Sequence, residues 1–411
     1  MTHPQIKKVF HAEGAAAAEA LETSRRRSEA ALHWDFPLGE SSLFCLLTLP
    51  VVTQVEKIYQ QELDIRQSWL NLPPGARGHY IRSLLLNEVM FTNAIEGVQS
   101  TRRQIEDALE ESNRRSPEHR RFRELSHLYL ALGRGDGTIP TSVHDLRALY
   151  DRIMDGELDE TDRPDGELFR GDIVDITDGG GRTVHRGFQP EAKIIAGLQV
   201  TLTALTNSET APLVSAVMSH FMFECVHPFY DGNGRTGRYL LGLRLSELLS
   251  TATALTLSRT LHEDRRKYYR AFTDVEDPMN RGDGTSFAQM MLEAISDSQQ
   301  ELVADLAARD YLLTQLDREI ERIRREAAVK PEHAVKILYL FGQVDLFGSP
   351  SGTKVAEVAE YLDLSPQQAR LYLKELEELG FIVPTSRRPL RLVLSTAGRD
   401  LLGLPHPDTV R

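Results

Sequence analysis

The chain is poor in cysteine and in long apolar runs. Cys45 and Cys225 are the only cysteines among 411 residues, too few for the disulfide framework of a small secreted scaffold. No segment reaches the roughly 18 consecutive apolar residues that a membrane-spanning helix needs. The polar start, from Met1 to Phe10, has no signal-peptide core. We therefore expect a soluble cytoplasmic protein that does not bind membranes.

Positive charge is also in deficit. Lys and Arg total 48 against 60 Asp and Glu, a formal net charge of −12. The chain as a whole thus lacks the basic footprint of a nucleic-acid-binding protein, although a local basic patch stays open. Hydrophobic residues make up 41% and charged residues 26%, which is ordinary globular usage and excludes wholesale disorder. The length predicts two or three domains.

Apolar residues recur at helical spacing from Leu43 onward, between clusters of Gly and Pro. The pattern predicts a mainly α protein, whose single sheet before residue 330 is a β-hairpin around the glycine-rich tip 178–181. A long helix is predicted from Phe287 to Ala328, with one break near Asp310. The predicted regions are a partly flexible leader (1–42), an N-terminal helical region (43–118), a helical core (119–292), a linker helix (293–330) and a C-terminal domain (331–403).

The C-terminal domain reads as helix, helix, turn, helix and strand pair, which is the order of a winged-helix domain. Residues 331–400 carry eight basic and nine acidic side chains, so the domain is close to neutral. DNA and protein partners, including a second copy of the chain, both stay open. The plausible phosphate contacts are Arg370, Lys374, Arg387, Arg388 and Arg391.

The richest segment is 227–238, HPFYDGNGRTGR. It forms a loop that runs directly into a helix, whose first N–H groups and positive dipole end attract anions. Gly232 and Gly234 let a phosphate approach the backbone. Arg235 and Arg238 add two positive charges with bidentate donors.

Two further residues indicate the chemistry. Asp231 would be repelled by a bound anion unless a divalent cation such as Mg²⁺ lay between them. His227 is the residue in this segment that can accept a proton near neutral pH. Together with the phosphate cradle, they describe transfer from a nucleoside phosphate to a hydroxyl group.

Three other interpretations are weaker. The glycines satisfy G-x-G-x-x-G, but a helix precedes them and no βαβ unit surrounds them. His220, Glu224 and His227 fall at i, i+4 and i+7 and could mimic a zinc-binding face, although no HExxH motif is present. Helix capping alone would account for Asp231 and Asn233, but not for two arginines and a histidine.

Segment 227–238 resembles the Fic family signature HPF-x-[D/E]-GNGR-x-x-R at every defined position. The region from Gly166 to Pro190 resembles the Fic flap hairpin, and Tyr268 with Tyr269 resembles the family's nucleotide-side pair. The resemblance implies a Fic-type helical bundle with a β-hairpin flap. It also implies an enzyme that binds ATP with Mg²⁺, or Mn²⁺, and transfers AMP to a Ser, Thr or Tyr hydroxyl of a target protein or of itself, releasing pyrophosphate.

The family's residue roles then map onto this sequence. His227 would be the general base and Asp231 the metal ligand. The anion hole and phosphate clamps would be Gly232, Asn233, Gly234, Arg235 and Arg238. Tyr268 and Tyr269 would lie beside the nucleotide, and the flap residues that dock the target would be Val174, Ile176, Thr183 and Val184.

Segment 92–97, TNAIEG, resembles the Fic inhibitory motif [S/T]-x-x-x-E-[G/N]. By this resemblance Glu96 would pair with Arg238, with Thr92 beside it, and occupy the space of the ATP γ-phosphate. The enzyme would then be an autoinhibited adenylyltransferase, and removal of AMP by the same site stays open. The alternative function is a DNA-binding regulator whose Fic domain senses nucleotide.

Overall fold

The computed structural model describes residues 3–110, 122–177, 183–326, 329 and 331–406. The described chain is mainly helical, with small β-hairpins. It divides into two compact units, one of residues 1–63 and 85–300 and one of residues 64–84 and 301–411. The predicted N-terminal helical region (43–118) is divided between the two units, because residues 64–84 group with the C-terminal part of the chain.

The elements up to residue 326 are as follows. The helices are α1 (Ile6–Glu13), α2 (Ala15–Arg26), α3 (Leu49–Asn71), α4 (Pro74–Ile95), α5 (Arg102–Glu110), α6 (Arg123–Arg134), α7 (Val143–Ile153), α8 (Glu191–Thr206), α9 (Pro212–Val226), α10 (Asn233–Leu248), α11 (Thr251–Ala254), α12 (Leu257–Glu263), α13 (Arg265–Glu276) and α14 (Thr285–Glu326). The strands are β1 (Ala31–Leu38), β2 (Ser41–Leu46), β3 (Asp175–Thr177) and β4 (Thr183–Arg186).

The pair β1–β2 corrects two predictions. A helix was expected from Leu43 and no sheet was expected before residue 330 other than the flap, yet Ser41–Leu46 is a strand paired antiparallel with β1. Phe44 explains the difference, because its N–H donates to Gly282 O at 3.0 Å and its carbonyl accepts from Gly284 N at 2.8 Å. A short apolar run fits a helix or a strand equally well. The distant backbone of residues 282–284 supplies the partners that favour the strand.

A buried ion pair holds part of the leader. Arg25 in α2 donates to Asp283 at 2.8 Å, and both side chains are almost fully buried. A buried charge pair of this kind is costly to break from one side, because the remaining charge would be left without a partner. The ion pair therefore anchors α2 within the leader, and the partial flexibility predicted for residues 1–42 stays a prediction.

Helices α9 and α10 form the centre of the first unit. From Leu213 to Val226, every residue of α9 except Glu224 is buried, and α10 is buried from Asn233 to Leu245. A helix that is buried on all sides belongs to the core of a large domain. The loop 227–232 thus connects two buried core helices.

The flap hairpin is present, with β3 paired antiparallel with β4. Its tip, at 178–182, lies outside the described residues. So do His119, Ala328 and Lys330, which are ends of predicted ranges. The predicted break near Asp310 is wrong, since α14 runs without interruption from Thr285 to Glu326.

The second unit contains the C-terminal elements. Its three-stranded sheet has Leu390–Leu394 as the central strand, between Thr353–Lys354 and Ile382–Arg387. The helices of this unit have buried residues that include Leu338, Phe341, Leu373 and Leu376. The elements follow the predicted order, with a short extra strand and a final helix. They are α15 (Glu332–Phe347), β5 (Thr353–Lys354), α16 (Val355–Leu362), α17 (Pro366–Glu378), β6 (Ile382–Arg387), β7 (Leu390–Leu394) and α18 (Thr396–Leu401).

None of the helices in the described part of the chain is both long enough and apolar enough to cross a bilayer.

Helix α4 is held by a buried carboxyl group. Glu88 accepts from the Ser258 backbone N–H at 3.0 Å and from the Ser258 hydroxyl at 2.5 Å. Burial raises the pKa of Glu88 to about 7, although the Ser258 bonds and Arg238 act in the opposite direction. Thr92 lies one helical turn further along α4, and Glu96 directly follows the helix. Glu88 therefore helps to fix the position of α4, and with it the positions of Thr92 and Glu96 within the first unit.

We predict that Glu88 makes the free energy of unfolding depend on pH. Its pKa is higher in the folded than in the unfolded chain, so the folded state binds more protons and loses stability as pH rises from about 4.5 to about 7. The free energy of unfolding of Glu88→Gln, measured by urea denaturation, should rise relative to the parent over this range by up to about 3 kcal/mol. Glu263→Gln, at an exposed glutamate, serves as the control. A constant difference between Glu88→Gln and the parent across pH would contradict the prediction.

Candidate active site

The loop 227–232 is shaped by two left-handed residues. His227, at φ +50°, ends α9, and Gly232, at φ +79°, caps the start of α10. Inside the loop, the Asn233 side chain donates to Phe229 O at 2.8 Å and accepts from Phe229 N at 3.0 Å. The Phe229 ring stacks on Tyr150, with a centroid separation of 3.4 Å. The loop is therefore closed on itself and clamped to α7.

Gly232 and Gly234 lie close to neighbouring side chains. A Cβ on Gly232 would lie 2.4 Å from Met154 Sδ, and one on Gly234 would lie 2.1 Å from Glu96 Oε1. The first N–H groups of α10 have no acceptor within their own helix, and they carry the positive end of its dipole. The side chain of Asn233 closes the loop, so its contribution to an anion site would come from the backbone.

His227 has the geometry of a neutral base. Its Nδ1 lies 3.3 Å from Glu224 O, which favours the tautomer with the proton on Nδ1 and leaves Nε2 as the acceptor. Burial, together with electrostatic repulsion from nearby His185 and Arg170, lowers the pKa of His227 to about 3, against a smaller opposing effect of Glu224 O. The imidazole is therefore uncharged at neutral pH.

Arg238 is enclosed by the residues of the predicted inhibitory motif. Its Nη2 donates to Glu96 Oε1 at 2.7 Å and to Thr92 O at 3.0 Å, and its Nε donates to Thr92 Oγ1 at 2.8 Å. Burial would lower the pKa of Arg238, but the negative charge of Glu96 raises it, so the guanidinium stays charged. Gly97, at φ +75°, lies just beyond the end of α4. The structure thus brings Thr92, Glu96 and Arg238 together.

Arg235 points elsewhere. It is buried, with Nη1 donating to Glu157 Oε2 at 2.5 Å and Nη2 3.6 Å from Asp231 Oδ2. The two arginines of the first turn of α10 therefore do not share one face of the site. The role of Arg235 as a phosphate clamp stays a prediction, and it would require a nucleotide to compete with Glu157.

Asp231 offers a suitable donor for a hard cation. Its side chain is 58% exposed, and Oδ1 accepts from Gly232 N at 2.6 Å. Tyr150 fixes its backbone by donating to Asp231 O at 3.1 Å. A single oriented carboxylate beside a phosphate site is the usual protein contribution to Mg²⁺ binding, with phosphate oxygens and water completing the shell. The donor set therefore fits Mg²⁺.

A cavity of about 1150 Å³ opens beside this loop. Tyr268 is buried, and its hydroxyl lies 2.7 Å from His220 Nε2. Tyr269 is partly exposed, and its hydroxyl donates to Ile95 O at 3.2 Å. Of the residues singled out in the sequence, the cavity lining includes Glu96, Ile176, His227, Gly234, Arg238, Tyr268 and Tyr269. This volume is sufficient for a nucleotide.

The flap lies at the edge of the cavity. Ile176 reaches the lining, and Val174 accepts from Gly187 N at 3.0 Å just before β3 begins. Thr183 and Val184 belong to β4, but their side chains lie outside the described part of the structure. Target docking by these residues stays a prediction.

The histidine spacing that could mimic a zinc-binding face has another explanation. His220 is buried against Tyr268 through the hydrogen bond already described. Glu224 lines the cavity beside Arg238. Among the residues that the structure describes, His220, Glu224 and His227 do not form a metal cluster.

The sequence reasoning missed Arg170. This buried arginine donates to the carbonyl oxygens of His227 at 2.7 Å, Asp172 at 2.6 Å and Phe188 at 2.8 Å. It therefore ties the backbone of the loop 227–232 to both ends of the flap hairpin. Its position between the apolar residues Phe169 and Ile173 offered little signal, because the carbonyl groups that it binds are far apart in sequence.

Glu157 and Glu224 were also not assigned a role in binding. Glu157, the partner of Arg235, lies in a polar segment without a recognisable pattern. Glu224 is the one residue of α9 between Leu213 and Val226 that keeps some solvent exposure, but its Oε1 atom is buried, and it faces the cavity. Burial raises the pKa of its carboxyl to about 8, with Glu96 adding to the effect and Arg238 opposing it. A charged residue in an apolar helix was the signal that could have drawn attention to it.

Comparisons with known proteins agree with this geometry. Residues 140–245 match the model of the Fic/DOC family. A protein of Aquifex aeolicus named probable protein adenylyltransferase is 38% identical over 76 residues, which are 18% of this chain and 21% of that relative. The match thus spans about a fifth of the relative's length.

A solved structure supports the fold. The crystal structure of a Fic family protein from Desulfovibrio desulfuricans superposes with a TM-score of 0.51 at 21% identity, covering 85% of this chain and 97% of that one. At this identity the likeness concerns the fold alone. The family match covers the loop 227–232, both core helices that flank it and the flap. Residues 140–245 of this chain therefore form a Fic/DOC family domain.

Proposed function

We propose that the protein is an adenylyltransferase that moves AMP from ATP to a Ser, Thr or Tyr hydroxyl of a target protein or of itself. The observation that carries the proposal is the neutral His227, held beside the open N-terminus of α10 in a nucleotide-sized cavity. A relative that shares part of the chain and is named probable protein adenylyltransferase supports the same reaction class.

The chain's own residues divide the work as follows. The first N–H groups of α10 bind phosphate oxygens, and Arg238 would bind the outer phosphates when it is released from Glu96. Asp231 would hold Mg²⁺ or Mn²⁺, which neutralises phosphate charge when bound. His227 Nε2 takes the proton of the target hydroxyl as its oxygen bonds to the α-phosphorus. The bond from that phosphorus to the bridging oxygen breaks, and pyrophosphate leaves.

We further propose that Glu96 inhibits this reaction from within the chain. Its carboxylate lies over the start of α10, where a Cβ on Gly234 would almost touch it, and it binds Arg238. It therefore lies beside the two positive groups that would bind a phosphate, Arg238 and the N-terminus of α10. ATP must displace it or bind in a pose unsuited to in-line attack. Removal of AMP by the same site remains a further proposal.

Glu96→Gly should activate the enzyme. Freeing Arg238 and the α10 N-terminus should raise AMP transfer by roughly 5–150-fold, the range of a coupling free energy of 1–3 kcal/mol. Intact mass analysis after incubation with Mg²⁺-ATP should show the added mass of one or more AMP groups. Glu96→Gln keeps the shape without the charge and should activate less.

The double variant Glu96→Gly with His227→Ala provides the control for chemistry. It should bind ATP but gain no mass. Equal AMP transfer by Glu96→Gly and the parent would refute the inhibition. Undiminished transfer by the double variant would refute the role of His227.

Arg170 is expected to act as a positioning residue. Arg170→Lys in the Glu96→Gly background cannot reach all the carbonyl groups, so the His227 loop should shift. The turnover rate should fall at least 10-fold, since misplacement by about 1 Å can cost about 100-fold, while the ATP dissociation constant changes little. Arg147→Lys, at a nearby arginine bound to Asp151, is the control. An equal fall of the turnover rate in Arg147→Lys and Arg170→Lys would show that Arg170 has no special positioning role.

The element order of the second unit supports a second proposal, that it is a winged-helix domain that binds DNA. The charge distribution limits the available contacts, because Lys374 pairs with Glu378 at 3.4 Å and Arg387 with Glu377 at 3.6 Å. Arg370 and Arg388 are exposed. A protein partner, including a second copy of the chain, is the competing proposal for this unit.

DNA binding can be measured by fluorescence anisotropy of a labelled duplex with the full chain. We expect binding that weakens as salt is raised, and that weakens at least tenfold in the double variant Arg370→Glu, Arg388→Glu. The double variant Arg103→Glu, Arg259→Glu, at exposed arginines of the other unit, is the control for net charge. No binding at low salt, or an equal loss in the control, would contradict the DNA proposal.

A further inference from the structure

Among the residues that the structure describes, His185, Cys225 and Glu276 form a group of metal-capable side chains whose donor atoms all lie within 4.8 Å of one another. They come from three separate elements. His185 lies on flap strand β4, Cys225 near the end of α9, and Glu276 is the last residue of α13. The sequence offered no motif for this group, because its members are widely spaced.

An ordinary ion pair accounts for only part of this arrangement. His185 Nδ1 lies 2.6 Å from Glu276 Oε2. The other ring nitrogen, Nε2, is buried and has no hydrogen-bond partner among the described residues, and the His185 side chain is only 9% exposed. A buried polar atom without a partner calls for an explanation. Cys225 is also buried, and it adds a sulfur donor to the same place.

The donor types point to a transition metal. Thiolate and imidazole ligands select Zn²⁺ and related ions over Mg²⁺ or Ca²⁺, which prefer oxygen. Three protein ligands with a fourth position left for water or substrate is the pattern of an open zinc site. The oxygen donor at Asp231 belongs to a different chemical class.

We propose that His185, Cys225 and Glu276 form a site for Zn²⁺ or a similar divalent transition ion, separate from the Mg²⁺ position at Asp231. Binding forms a metal–sulfur bond and releases the Cys225 thiol proton to solvent. Burial holds the pKa of this thiol well above its usual range, so the metal must displace the proton.

The location gives the site a consequence for the flap. The rings of His185 and His227 have centroids 5.9 Å apart, and both residues line the same cavity. An ion held by His185, Cys225 and Glu276 cross-links the flap strand to the helix that ends at the catalytic histidine. Metal binding therefore restrains the flap next to the proposed base.

The test is a titration of the metal-free full chain with Co²⁺, which reports thiolate ligation by a sulfur-to-cobalt charge-transfer absorption. We expect this band to saturate at one Co²⁺ per chain and to disappear when Zn²⁺ is added. Cys225→Ser should lose the band. Cys45→Ser, at the other buried cysteine, should retain it, and Asp231→Ala should retain it as well.

His185→Gln provides a second variant, at a residue on the flap rather than in the core, in case Cys225→Ser does not fold. It should weaken Zn²⁺ binding, measured by competition with a chelating dye, by at least 10-fold, since even changes behind the metal ligands cost about 10–100-fold. No band in the parent, or a band that survives in Cys225→Ser, would overturn the proposal. Neither readout depends on AMP transfer, so this result stands apart from the proposed function.

Discussion

The packing of α9 and α10 constrains everything else in the candidate active site. Both helices are buried over nearly their whole length, so neither can shift without opening the core. The loop between them must then turn within a few residues, which requires left-handed backbone at His227 and Gly232. The result is a histidine and a helix N-terminus held at a constant separation. Such preorganisation is what positions reacting groups before substrate arrives.

Around this junction, three buried arginines each have a different kind of partner. Arg170 is bound by carbonyl oxygens, Arg235 by Glu157 and Arg238 by Glu96 and Thr92. Carbonyl oxygens and Glu157 are parts of the framework. Glu96 directly follows the end of α4 and reaches the open start of α10, so it occupies a place that a phosphate could take. Arg170 thus holds the loop, Arg235 is fixed to the framework through Glu157, and Arg238 takes part in the proposed regulation.

Much of the fold could be predicted from local patterns. The core helices, the C-terminal element order and the flap hairpin follow from apolar spacing and from glycine and proline. The pattern failed at β2, where the chain at Phe44 pairs with residues 282–284. It also gave no sign of the ion pair between Arg25 and Asp283. Both cases involve partners more than 200 positions away.

The sequence by itself determined which groups the loop offers, because a histidine, an aspartate, glycines and two arginines lie within one continuous segment, 227–238. Only the tertiary structure decided which charged residues pair with one another. It paired Arg238 with Glu96 and Arg235 with Glu157, made Arg170 the support of the loop, and placed His185, Cys225 and Glu276 together. The reason is physical: a helix start and its flanking loop are local, whereas the partner of a buried charge is chosen by whichever distant element packs against it.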